Sequence, residues 1–158
     1  MRVTEADLVE WGLRIGREVC RPVFIGLSGP LGAGKSVLAR AVAEGAGVSG
    51  YMPSPTFNLV FRYEIGADEA GGRRAVIHAD LYRLHSPEEL AGIGWDEVAG
   101  DEEAIVLVEW PERARGHLPG DRWEVRLRYA GEGLDRREIE VRPFGDPPPL
   151  PDLAARER

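Results

Sequence analysis

The spacing of apolar positions changes several times along the chain, and each change marks an element. Leu8, Trp11, Gly12, Ile15 and Val19 recur at intervals of three and four, which predicts a helix. Thr4 with Asp7 starts it in the manner of a capping box, although Glu or Gln is the usual third residue. Arg21-Pro22 ends it. Residues 23–28 form a short apolar run that reads as a buried strand. A second helix runs from Ser36 to about Glu44, with Val37, Leu38, Ala41 and Val42 on its apolar face and Gly45 and Gly47 as its stop.

Residues 51–56 hold two prolines and read as a stiff loop. Residues 57–65 predict a strand, Asp68 to Arg74 a polar turn, and Ala75 to His78 the returning strand of a hairpin. Ser86-Pro87-Glu88-Glu89 predicts a capped short helix with Glu89 completing the box, stopped by Gly92 and Gly94. Residues 104–108 are the clearest buried strand. Residues 123–129 and 138–142 alternate apolar and charged positions, as an antiparallel pair with one wet face would. Beyond Pro143 the proline-rich sequence predicts an extended or disordered tail. The expected organisation is one domain over residues 1–142 and a tail over 143–158. The expected fold is an α/β sandwich with a mixed parallel and antiparallel sheet.

One segment carries a specific chemistry. Gly29-Pro30-Leu31-Gly32-Ala33-Gly34-Lys35-Ser36 matches G-x-x-x-x-G-K-[ST] in full, between a buried strand and a helix. Such a loop turns backbone amides toward phosphate oxygens, and the helix N-terminus adds its partial positive charge. Leu31, Gly32, Ala33, Gly34, Lys35, Ser36 and Val37 are therefore the candidate phosphate-binding residues. Lys35 would reach the β- and γ-phosphates and the Ser36 hydroxyl would coordinate Mg²⁺. Lys35 is also the only lysine among 20 basic residues. An Asn/Thr-Lys-x-Asp guanine motif is consequently absent, which makes ATP the expected nucleotide.

The metal needs an acidic partner at a neighbouring strand end. Glu109, after the run 104–108, and Asp80, after the run 75–78, are the two candidates. Either could hold Mg²⁺ directly or through water, or orient the attacking water. His78 beside Asp80 reads better as a packed, hydrogen-bonded residue than as half of a zinc site. Thr56 stands where nucleotide switches place a threonine that senses the γ-phosphate, or simply starts a strand.

Charge and cysteine usage narrow the class. The chain has 158 residues and a net charge of −7, which argues against a basic coat for gripping nucleic acid. Arg122, Arg126, Arg128, Arg136, Arg137 and Arg142 read as the solvated face of the last hairpin, or alternatively as a patch facing tRNA or a partner. The single Cys20 forms no disulfide framework. With no apolar run of spanning length, a cytoplasmic location is expected.

Taken with their order and spacing, Gly29 to Ser36, Ser54-Pro55-Thr56-Phe57, His78-Ala79-Asp80-Leu81-Tyr82-Arg83 and Val108-Glu109-Trp110-Pro111-Glu112 resemble the TsaE (YjeE) family of bacterial tRNA modification, over roughly residues 4–142. The resemblance implies a P-loop NTPase-like three-layer fold and a small ATPase. It also implies association with TsaB and TsaD, the pair that makes threonylcarbamoyladenosine beside the anticodon of certain tRNAs. Hydrolysis would reset that complex, with tRNA contact left mainly to the partners. Lys35 would serve phosphate, and Ser36 and Glu109 would serve Mg²⁺. Thr56 and Asp80 would shape the switch and active site, and Trp110 would support activity beside Glu109. The family usually has threonine where this chain has Ser36, with the same hydroxyl. Pro30 replaces an Asp or Glu. A small-molecule kinase using the same loop is the competing enzyme class, though the chain has no long lid-like insertion.

Overall fold

The computed structural model describes residues 1–19, 21–50, 59–66, 75–131 and 135–153. The expected loop at 51–56, with Thr56, the turn Asp68 to Arg74, and Cys20 lie outside these residues.

Among them, seven strands form one sheet: β1 (Arg2–Thr4), β2 (Val23–Ser28), β3 (Val60–Glu64), β4 (Ala75–Asp80), β5 (Ala104–Glu109), β6 (Arg122–Tyr129) and β7 (Arg136–Phe144). The spatial order is β1-β7-β6-β2-β5-β4-β3. β2 runs parallel to β5 and β6, and β4 parallel to β5, whereas the pairs β3/β4, β6/β7 and β1/β7 are antiparallel. β2 and β5 read as unbroken apolar runs because helices and loops cover both faces there. The outer β6 and β7 alternate because only one face is covered.

The sheet separates two cores. On one face α1 (Glu5–Glu18) and α2 (Lys35–Ala46) bury Leu8, Trp11, Ile15, Leu38 and Val42 against Ile25, Leu27, Leu107, Val125 and Leu127. On the other, Leu84, Leu90, Trp95 and Val98 cover Phe24, Ile77, Val106 and Val108. That layer consists of a 3₁₀ turn at Pro87–Ile93, the short helix α3 (Trp95–Ala99) and a 3₁₀ turn at Pro111–Ala114. The result is a three-layer, P-loop NTPase-like α/β sandwich with a mixed sheet.

Thr4 and Asp7 form a complete capping box at α1, so Asp is long enough to return the bond to the Thr4 amide. Gly45 does not stop α2. It lies inside the helix, where a Cβ would sit 2.2 Å from the Leu13 carbonyl oxygen of α1. Its absence of side chain lets the two helices touch, and Gly47, at φ 107°, ends the helix instead. The box expected at Ser86 does not form either. The Glu88 carboxylate takes the Ser86 hydroxyl, and Glu89 N–H bonds the Ser86 carbonyl at 3.2 Å, which tightens the segment into 3₁₀ geometry. Gly94, rather than Gly92, ends it.

β7 continues through Pro143 to Phe144. Residues 145–153 have no regular secondary structure yet are tied down. The Trp11 indole N–H donates to the Pro151 carbonyl and the Trp123 indole N–H to the Pro148 carbonyl, both at 2.7 Å, while Leu150 and Leu153 pack on the α1 core. β1 and α3 were too short to give a period.

Candidate functional site

The loop 29–34 leaves the C-terminal end of β2 and enters α2 at Gly34. Lys35 Nζ turns back to donate to the carbonyls of Gly29 (2.6 Å) and Pro30 (2.8 Å). The ammonium also sits over the Trp110 ring, 4.6 Å from its centroid. Lys35 is buried, and burial pushes its pKa below the usual value, while Glu109, Asp80 and Glu112 pull it back up.

Ser36, the next residue on α2, donates its hydroxyl to Glu109 Oε1 (2.9 Å) and Oε2 (3.1 Å). Glu109 ends β5 and is only 3% exposed. His78 Nε2 lies 2.7 Å from Glu109 Oε2, so this carboxylate is held from both sides. His78 is thus packed and hydrogen-bonded. Asp80 is the Cα partner of Glu109 in the β4–β5 ladder, which puts two carboxylates side by side at the C-terminal ends of adjacent strands. Its Oδ1 accepts the Tyr82 amide at 3.0 Å. Burial raises the Asp80 carboxyl above its ordinary pKa; the Tyr82 bond opposes this, Glu109 adds to it, and His78 and Lys35 oppose it.

Trp110 follows Glu109 in a left-handed conformation, φ 59° and ψ 50°, the only non-glycine with positive φ among the described residues. Such a conformation costs about 1–2 kcal/mol outside glycine. What holds it is a bond from its amide to the Leu27 carbonyl (3.1 Å) and ring contacts with Lys35 and with Tyr82, whose centroid is 5.1 Å away.

Lys35, Ser36, Glu109, Asp80 and Trp110 therefore converge, and Leu31, Gly32, Ala33, Gly34 and Val37 flank them in the loop and first helical turn. The oxygen donors Ser36, Glu109 and Asp80 suit a hard cation such as Mg²⁺. No group of three or more His, Cys, Asp or Glu among the described residues is arranged to hold a metal by itself. Beside Gly29-Pro30 an open cleft of about 760 Å³ is lined in part by Trp110, Glu112, Arg115, Arg126 and Arg128.

Two residues of the site were not foreseen. Tyr129 and Arg137 contact the loop from the end of the β6–β7 hairpin. Arg137 is thus not on the solvated face with its neighbours. It shares parity with the inward Ile139 and Val141, and that parity was the available signal.

The family model "Threonylcarbamoyl adenosine biosynthesis protein TsaE" matches residues 3–139. The chain belongs to the TsaE family. Curated relatives named tRNA threonylcarbamoyladenosine biosynthesis protein TsaE include one from Haemophilus influenzae, 36% identical over 77% of this chain and 70% of its own. One from Treponema pallidum is 35% identical over 85% of this chain and 93% of its own. The TsaE family is thereby tied to tRNA threonylcarbamoyladenosine biosynthesis. The crystal structure of Bacillus subtilis YdiB superposes with a TM-score of 0.65 at 23% identity, covering 92% of this chain and 84% of YdiB, and so shares the fold. No helix among the described residues is long and apolar enough to cross a membrane.

Proposed function

We propose that this TsaE-family chain binds and hydrolyses ATP as an accessory protein of tRNA threonylcarbamoyladenosine formation, acting in the cytoplasm on the TsaB–TsaD complex. The observation that carries this reading is the contact of Ser36 with the buried Glu109. It places a loop hydroxyl and a strand-end carboxylate together beside the Lys35 ammonium.

In this reading the amides of the loop and Lys35 bind the phosphates. Ser36 and Glu109 hold Mg²⁺, which when bound neutralises charge on the β- and γ-phosphates. Asp80, beside Glu109 on the adjacent strand, holds Mg²⁺ directly or through water or orients the attacking water. His78 orients Glu109. Trp110 packs against Lys35 and Tyr82 at the turn after Glu109. Thr56 is the proposed γ-phosphate sensor. ATP, not GTP, is the nucleotide, because Lys35 is the sole lysine and no guanine motif exists.

The net charge of −7 supports an indirect link to tRNA. On the open face of β6–β7, Arg122 pairs with Glu124 and Arg142 with Glu140, so two of the five arginines there are matched by carboxylates. The test measures phosphate release by the chain alone, with TsaB–TsaD, and with candidate phosphate acceptors. Slow turnover that rises strongly with TsaB–TsaD is expected. The cleft beside Pro30 would suit an anionic acceptor. ATP consumption that rises only with a phosphorylatable metabolite would replace this reading with a kinase.

A further inference from the structure

We infer that Tyr129 and Arg137 form a clamp that sets the phosphate-binding conformation of the loop from outside; this rests on the nucleotide-site reading above. The Tyr129 hydroxyl donates to the Leu31 carbonyl at 2.7 Å. Arg137 Nε donates to the Ala33 carbonyl at 3.0 Å, and Nη2 reaches the Gly32 carbonyl at 3.4 Å. The guanidinium lies over the Tyr129 ring, 4.9 Å from its centroid, and the two residues are direct partners in the β6–β7 ladder. Lys35 holds the carbonyls of Gly29 and Pro30. All five successive carbonyls from Gly29 to Ala33 are therefore engaged.

A peptide is planar and trans, so a fixed carbonyl aims the following amide the opposite way. Holding Leu31 and Ala33 by their oxygens points the Gly32 and Gly34 amides away from the hairpin. The Ala33 amide instead closes a turn onto the Pro30 carbonyl at 3.2 Å. The loop thus presents donors in a set pattern before any anion arrives, which reduces the ordering cost of binding. The glycines permit the close approach: a Cβ at Gly32 would lie 2.6 Å from the Tyr129 hydroxyl, and one at Gly29 2.2 Å from the Leu127 carbonyl oxygen. Tyr129 and Arg137 act through the loop and are positioning residues.

The clamp is tested with Tyr129→Phe, Arg137→Lys and the double variant in the full chain, beside Lys35→Ala. Calorimetry measures the affinity of each for ADP and for inorganic tripolyphosphate, which has phosphates but no base. Tyr129→Phe keeps the ring and loses the hydroxyl, and Arg137→Lys keeps the charge but loses the planar fork that reaches two carbonyls at once. Each is expected to weaken both ligands by the same factor, about fivefold, from one net hydrogen bond of about 1 kcal/mol. Hydrogen exchange at the Ala33 amide, which closes the turn onto the Pro30 carbonyl, speeds up in parallel, while the melting temperature stays near wild type. Wild-type affinity of the double variant for both ligands, with binding lost in Lys35→Ala, would overturn the clamp and leave the nucleotide site standing. Wild-type affinity of Arg137→Lys alone would show that a single ammonium suffices and overturn the part given to the guanidinium fork. Should Arg137→Lys fail to fold, Tyr129→Phe decides alone, by the same criterion. Retained binding in Lys35→Ala would instead overturn the underlying site.

Discussion

Replacing Glu109 with Gln separates what this residue does for the fold from its proposed role toward Mg²⁺. The side chain is 3% exposed and takes Ser36 at 2.9 and 3.1 Å and His78 at 2.7 Å. Gln fills the same volume and keeps one acceptor oxygen, so one of the two donors stays satisfied while the other faces an NH₂ group. Losing one bond to a charged acceptor costs about 1.5–3 kcal/mol. Removing a carboxylate from a buried position returns part of that, because desolvating the charge is itself costly. The net change in stability should stay below about 2 kcal/mol. Binding of ADP without Mg²⁺ should be nearly unchanged, because Lys35 and the loop amides remain. Turnover in the presence of TsaB–TsaD should fall about 100-fold or more, as when a preorganised electrostatic group is removed. Phosphate release, calorimetry with and without Mg²⁺, and thermal unfolding read the three effects separately. Full turnover by Glu109→Gln at saturating Mg²⁺ would remove the residue from the chemistry. Loss of Mg²⁺-free ADP binding together with a large fall in stability would show that its role is only structural.

Asp80→Asn should lower turnover yet raise stability at neutral pH. Burial raises the native Asp80 pKa above its unfolded value, so the folded state binds the proton more tightly. Stability is then lost as pH rises from the ordinary carboxylate range through the native value. Asn keeps an acceptor for the Tyr82 amide without that loss. Its melting temperature should exceed wild type at pH 7, with the gain shrinking toward about pH 4; a lower value at pH 7 would contradict the assignment. At Trp110, the left-handed backbone makes Gly better tolerated than Ala. Trp110→Gly should be more stable than Trp110→Ala by up to about 1 kcal/mol by denaturant titration. The reverse order would mean the backbone there is not under strain.

The elements with a strong period were legible in the sequence. Leu8 to Val19, Val23 to Ser28 and Ala104 to Val108 each bury the residues their spacing predicted, because packing there acts along a whole helix face or strand. The loop between β2 and α2 was legible because its pattern puts glycines at Gly29, Gly32 and Gly34, where the backbone takes positive φ. What escaped were features set by a single long-range approach. Gly45 looked like a helix stop, but its missing side chain serves the α1 crossing, which no local pattern encodes. Ser86 had a capping sequence, yet the Glu88 carboxylate competed for its hydroxyl. Arg137 looked like one of six hairpin arginines. Only its inward parity and the folding of the hairpin end onto the loop distinguish it.

The central claim is that Gly29 to Ser36 binds the phosphates of ATP. It is tested most directly by titrating ATP with Mg²⁺ into the wild-type chain and into Lys35→Ala, both confirmed as folded. Lys35 is the buried ammonium of the loop, so binding should be detectable in the first and reduced at least about tenfold in the second, as loss of a charge-assisted contact requires. Equal affinity in the two chains would contradict the account.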